Sequence, residues 1–384
     1  MISSTLAAVG TRHNPSQNTN GAALLAAAED PGGLNLSLAK SFRRSLIIAP
    51  STLTESVLAQ PLIALLRRFD AFGRIDVLAH VDVAPLFQAM AEIDEVLDTD
   101  VAADRIAFVK RLALSRRIEH KSYDCAFILQ DVKTAAIAPW LARIPRRIGF
   151  GSSAVFGMVN RPTAMGGGRD KSIADRFAAL AFEPGESLPP GIPAPQLAAP
   201  PDLTEALARR LNLDPAKPLV LLCPSSELGP SSEWPVRHYA ALAAMISLQW
   251  PDLAIGLLGR PRDRTAATQI ALLCGERLQN WCGHLNLGET LALVNHAAAV
   301  VTSESQYMHL AAALGRPHVA IYGAGDPRAE RINATRRSVM WLHLECSPCL
   351  EAHCRFGHMN CVTQQAPEQV FASLQKAMRF SATA

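Results

Sequence analysis

Four cysteines fall within sixteen residues near the C-terminus: Cys346, Cys349, Cys354 and Cys361, spaced C-S-P-C-x4-C-x6-C, with His353 and His358 between them. The C-x2-C opening suits a tetrahedral ion, zinc or iron, held by four thiolates or by three with one imidazole. A closed set of four ligands leaves no open position, so such a site would be structural. The spacings are short for a zinc ribbon, and a reduced, metal-free loop is the competing reading. A second constellation is Ser305 and Gln306, which open the apolar run QYMHLAAAL. The free N–H groups and dipole of a helix N-terminus bind phosphate. A third is Glu55, placed directly after a short apolar strand and at the start of a helical pattern. There it is either a carboxylate available for proton transfer or an acid that favours the helix dipole.

Strands alternating with helices position these residues. SLIIAP reads as a buried strand and SVLAQPLIALLRRF as the helix after it. RIDVLAH, EVLDT and YDCAFIL continue the strands, with helical patterns between them. The second half repeats the plan: PLVLLCPSS, LAIGLLG, AVVTSES and HVAIYGAG are strands that alternate with helical segments. Such alternation predicts parallel sheets with helices on both faces. The Pro- and Gly-rich stretch FEPGESLPPGIPAPQLAAPP marks a linker. Residues 1–43 are expected to be a disordered or weakly ordered extension, 44–181 one Rossmann-like domain, 182–215 the linker and 216–384 a second such domain carrying the Cys-rich loop 346–361. Ligands of these sheets bind beyond the carboxyl ends of the strands, so the interdomain cleft is the expected site.

Composition narrows the function. The 384 residues are 49% apolar and 18% charged, with a net charge of +3. That charge is too small, and Tyr and Trp are too few, to argue for nucleic acid. No apolar run is long enough to cross a membrane, and the N-terminus lacks a secretory signal, which predicts a cytoplasmic protein with reduced cysteines. Basic residues gather at Arg105, Lys110, Arg111, Arg116, Arg117 and Lys121, and again at Arg143, Arg146 and Arg147. They read either as solvated helix faces or as a docking surface for an anionic membrane face.

Several segments taken in order carry a family likeness. P-S-S-E-L-G-P-x3-W-P at 224–235, V-T-S-E-S-Q-Y-M-H-L-A-A-A-L-G-R-P at 301–317, Y-G-A-G-D-P at 322–327 and the cysteine tetrad follow one another, after A-P-S-T-L-T-E-S-V-L-A-Q-P-L at 49–62 and R-I-G-F at 147–150. The set resembles the ADP-heptose:lipopolysaccharide heptosyltransferases of glycosyltransferase family 9. The resemblance implies a GT-B fold: two doubly wound Rossmann-like domains facing across a cleft. It further implies an inverting transfer of heptose from an ADP-sugar donor to a lipid-linked core oligosaccharide, with no cofactor for the chemistry. By the same resemblance Glu55 is the general base and Lys133 an acceptor-side residue. Ser225, Ser226, Glu227, Arg237, Glu304, Ser305, Gln306 and His309 fall on the donor side. The plainer alternatives are turn and cap chemistry for 225–227, a solvated helix face for Arg237 and Lys133, a capping acid for Glu304 and a core histidine for His309. Three positions depart from the family pattern. Thr54-Glu55 replaces Gly-Asp, Ser232 and Glu233 replace a basic residue before the Trp-Pro pair, and Glu304-Ser305-Gln306 replaces Asp-Ser/Thr-Gly. These departures admit a catalytically weakened relative acting as a scaffold, or a member that glycosylates protein.

Overall fold

The computed structural model describes residues 43–101, 108–130, 133–151, 157–163, 172–184, 186–214, 217–275, 278–329 and 336–379. The first sheet contains β1 (Arg44–Ile48), β2 (Arg74–His80), β3 (Glu95–Thr99), β4 (Cys125–Ile128), β5 (Arg146–Phe150) and β6 (Arg161–Thr163). The second contains β7 (Leu219–Cys223), β8 (Ala254–Leu257), β9 (Leu278–Asn280), β10 (Ala299–Ser303), β11 (His318–Ile321) and β12 (Arg337–Met340). The strand orders are β3-β2-β1-β4-β5-β6 and β12-β11-β10-β7-β8-β9. Read from its own first strand, the second sheet has the same order as the first. Every pairing is parallel. β4, β7 and β10 are buried along their whole length, as strands covered on both faces must be.

The first-half helices are α1 (Leu53–Leu58), α2 (Gln60–Phe69), α3 (Ala84–Gln88), α4 (Phe108–Glu119), α5 (Ile137–Leu141) and α6 (Ile173–Ala178). The remainder are α7 (Pro201–Arg210), α8 (Val236–Gln249), α9 (Arg264–Cys274), α10 (Leu287–His296), α11 (Gln306–Ala313), α12 (Asn360–Thr363) and α13 (Pro367–Arg379). The sequence predicts one helix over 56–69. The structure has two, parted at Ala59, because Pro61 lacks the N–H that would continue the first. α10 starts on a reciprocal cap: Asn286 Oδ1 accepts the Glu289 N–H and Glu289 Oε2 accepts the Asn286 N–H, both at 2.9 Å. Within the segment read as a linker, 201–210 is helix α7, which packs on α10 and buries Leu207.

Apolar residues of both halves share one core. Val57, Leu62 and Phe87 belong to the same buried cluster as Leu293, Leu310 and Ala311. α1 packs against α11, and α3 against α10. The carboxyl ends of the central strands β1, β4, β7 and β10 therefore carry the loops that meet between the sheets, at the two points where strand order reverses.

Candidate active site

The loop leaving β1 places Thr52 at the N-cap of α1 and Glu55 in its first turn. Thr52 Oγ1 accepts the Glu55 N–H at 3.3 Å and donates to Glu55 Oε2 at 2.9 Å. Glu55 is half-buried and lines a cavity of about 230 Å³ with Ser51, Leu129, Gln130, Phe150, Arg176 and others. Arg176 lies 5.3 Å from the Phe150 ring centroid. The carboxylate is thus held by its own helix start while one side faces a pocket that is partly open to solvent. Lys133 begins a single 3-10 turn after β4, and its side chain lies outside the described residues.

Beside Glu55, Thr54 turns the other way. Its buried hydroxyl donates to both oxygens of Glu227, at 3.0 Å each. This bond joins the first loop of one half to the first loop of the other. The Glu227 N–H in turn donates to Glu304 O at 3.1 Å.

Ser225 and Ser226, in the loop leaving β7, are buried and fully engaged. Ser225 Oγ donates to Asp263 Oδ2 at 2.7 Å and accepts from Arg260 Nη2 at 2.9 Å. Ser226 O accepts from Arg260 Nη2 at 2.9 Å and Arg262 Nη2 at 2.5 Å. The Arg260 N–H reaches Asp263 Oδ2 at 2.7 Å. Sequence reasoning missed this Arg260–Arg262–Asp263 group; its signal was the charged run G-R-P-R-D-R directly after a predicted strand. Arg237, singled out in its place, is exposed in the first turn of α8, and the cations that reach the loop are Arg260 and Arg262.

Ser305 is the N-cap of α11: its hydroxyl accepts the Tyr307 N–H at 3.3 Å and lies 2.7 Å from Thr302 Oγ1. Gln306 and His309, on the same helix, are 8% and 2% exposed. Glu304 Oε2 accepts from Ser232 Oγ and from the Gly325 N–H, each at 3.0 Å. A Cβ on Gly325 would stand 1.6 Å from Glu304 Oε1, so any other residue there must push the carboxylate out of its place. Ser232, which departs from the family pattern, is therefore part of the network that fixes Glu304. The Trp-Pro pair is architectural. Trp234 stacks edge-on against Tyr239, its backbone N–H donates to Ser303 Oγ at 3.2 Å and its indole N–H to Gln365 O at 2.9 Å.

The Cys-rich loop supports this half from behind. Ser231 Oγ donates to Glu351 O, Ser231 N to Ala352 O and Leu350 N to Ala324 O. Gly229, at φ +135°, leaves 2.9 Å between its absent Cβ and Ala352 O. Cys361 is buried, its Sγ lies 3.7 Å from Ser231 O, and burial followed by the charge of its three neighbouring thiols pushes it up to about 11. Cys354 is shifted down by backbone N–H groups, first that of Met359. The four thiols have the donor chemistry for zinc or iron. Among the described residues, however, no three His, Cys, Asp or Glu side chains gather closely enough to ligate one ion.

The basic stretches divide. Arg111 is 4% exposed, Lys110 and Lys121 pair with Asp100 and Glu95, and Arg147 donates to the carbonyls of Met158 and Gly157. Arg116 and Arg117 remain exposed on α4. Arg105 lies outside the described residues. Among the described residues no helix is long and apolar enough to cross a membrane.

The profile of glycosyltransferase family 9 (heptosyltransferase) matches residues 111–360. Lipopolysaccharide heptosyltransferase 2 of Salmonella typhimurium is 29% identical over 291 residues, spanning 73% of this chain and 83% of that protein. Lipooligosaccharide heptosyltransferase 2 of Haemophilus ducreyi is 30% identical over 295 residues, spanning 73% and 84%. The structure of Escherichia coli ADP-heptose lipopolysaccharide heptosyltransferase II superposes with a TM-score of 0.77 at 26% identity, covering 88% of this chain and 99% of that one.

Proposed function

From the premise that this chain belongs to glycosyltransferase family 9, we propose that it transfers heptose from ADP-heptose to the inner core of lipopolysaccharide, as its named relatives do. It is a glycosyltransferase of the GT-B fold. The observation that carries the finer reading is the placement of Glu55. The carboxylate follows the carboxyl end of β1 and lines a pocket of first-half residues, while its neighbour Thr54 bonds Glu227 of the second half.

In this reading the acceptor hydroxyl enters the pocket and gives its proton to Glu55 as it attacks the anomeric carbon. The developing diphosphate leaves toward the N-terminus of α11, where the dipole and free N–H groups favour negative charge. Arg260 and Arg262 supply the cations that the family's basic residue would have provided ahead of Trp234. Glu304, fixed by Ser232 and Gly325, is placed to hold donor hydroxyls. Two of the departures from the family pattern, Thr54 and Ser232, each make a defined hydrogen bond, so these substitutions are built into the network.

The acceptor is lipid-linked, and exposed Arg116 and Arg117 are proposed to meet an anionic membrane surface; co-sedimentation with anionic vesicles should fail in a doubly substituted variant. The test of the function is turnover with ADP-heptose and a heptose-terminated core oligosaccharide. Binding of donor with no turnover on any core acceptor would contradict it.

A further inference from the structure

A cavity of about 530 Å³ lies at the end of α11 remote from Ser305. It is lined by residues 194–197 of the linker, by 312–315 at the close of the helix, and by Arg316 and Arg336. Among the described residues that line it there is no carboxylate. Arg316 reaches Asn295 Oδ1 through Nη2 at 3.0 Å, but its Nε is buried with no hydrogen-bond partner among the described residues. Neither arginine makes an ion pair with any described residue. Burial first, and then the charge of Arg336, lower the proton affinity of Arg316.

One arginine after a helix is explained by the helix dipole. A second, lining the same cavity, is not, because like charges side by side cost free energy unless something neutralises them. The last four carbonyls of α11 each accept a backbone N–H, which lessens the negative pole an anion meets there and leaves the two guanidinium groups to outweigh the rest. Leu314 N donates to Leu310 O, Gly315 N to Ala312 O, Arg316 N to Ala311 O, and Leu197 N to Ala313 O.

We propose that this pocket binds a phosphate group, bridged by the guanidinium groups of Arg316 and Arg336. Charge favours phosphate over carboxylate. A phosphate monoester carries about −1.5 to −2 at neutral pH, which matches two guanidinium groups, and its oxygens accept from the planar fork of each. The site is separated from the cleft by the length of α11, about 12 Å for eight residues. Because the linker forms one wall, an occupied site ties residues 194–197 to the base of the helix whose other end faces the donor. The phosphate can come from a soluble phosphate or from a phospholipid headgroup.

Three arms with the full chain test this. Crystals soaked in selenate, a tetrahedral dianion with an anomalous signal, should show a peak between the two guanidinium groups. Inorganic phosphate titrated at constant ionic strength should bind wild type about 10- to 100-fold more tightly than Arg336→Gln, the loss of one charged partner. Arg336 is part-exposed, so this change spares the fold. Co-sedimentation with phosphatidic acid vesicles, against phosphatidylcholine, identifies the source. Retention of wild type but not Arg336→Gln points to a headgroup, and phosphate binding without retention points to a soluble ligand. A selenate map with no peak at this pocket, or equal phosphate affinity in wild type and Arg336→Gln, overturns the proposal.

Discussion

The loops that leave β1 and β7 hold equivalent places in two sheets of the same strand order, yet they are built differently. After β7, Ser225 and Ser226 are buried and tied to Arg260, Arg262 and Asp263, and the Cys-rich loop closes the back. After β1, Ser51 and Thr52 are exposed, and the Glu55 carboxylate takes its bond from Thr52, three residues away, beside an open pocket. One half is fixed before any ligand arrives. The other leaves its carboxylate accessible. This division fits a reaction in which the donor diphosphate needs aligned dipoles in place and the base needs reach.

The largest expected effect falls on the open half. Glu55→Gln keeps size and one accepting oxygen but removes the carboxylate proposed as the base, and kcat should fall about 10²- to 10⁴-fold with donor affinity nearly unchanged. Glu55→Asp restores the family's usual acid at shorter reach and should keep turnover. Steady-state kinetics of both variants check this, and unaltered turnover in Glu55→Gln would break the division of labour.

Acid should act on the fixed half. His318, buried on β11, is lowered to about 4 by burial. The folded chain keeps it neutral while the unfolded chain protonates it near 6.5, so the unfolded state binds more protons between those values. Stability should therefore fall as pH drops from about 6.5 to 4, by about 3 kcal/mol from this group, and be complete above 6.5. His318→Asn should flatten that window in urea titrations. An equal slope in the variant would assign the acid lability elsewhere.

Gly325→Ala forces a Cβ into the Glu304 carboxylate. Displacing that carboxylate from Ser232 Oγ and the Gly325 N–H should raise the donor KM roughly 10-fold with kcat less affected, read by steady-state kinetics. The smallest effect is on the joint between the halves. Thr54→Val removes the hydroxyl that bridges to Glu227 and should cost roughly 1 kcal/mol in thermal unfolding. If Thr54→Val instead matched Glu55→Gln in kcat, the two loops would be one functional unit and the contrast would fail.

Much of this was legible in the sequence because buried parallel strands are near-continuous apolar runs, as LVLLC and CAFI show. The edge strands β6, β9 and β12 were not. Each has only three or four residues, with polar or charged side chains such as Arg161, Gln279 and Arg337, and pairing alone defines them. The positions of Glu55, Glu227, Glu304 and Ser305 at strand ends followed from the alternation of elements. The partners that fix them did not. Arg260 to Ser225, Ser232 to Glu304 and Thr54 to Glu227 join residues 35, 72 and 173 apart, and no local pattern encodes such separations. The cysteine tetrad was legible as a cluster but not as a support for 229–232, which depends on the path of the loop between its cysteines.

The most direct test of the account is the reaction itself. Purified protein is incubated with ADP-heptose and a heptose-terminated inner-core acceptor, and the acceptor is weighed by mass spectrometry alongside released ADP. The account predicts that one heptose is gained per ADP released in the wild type, and that both products fall together in Glu55→Gln. ADP-heptose bound but returned intact, with the core acceptor unchanged, would contradict it.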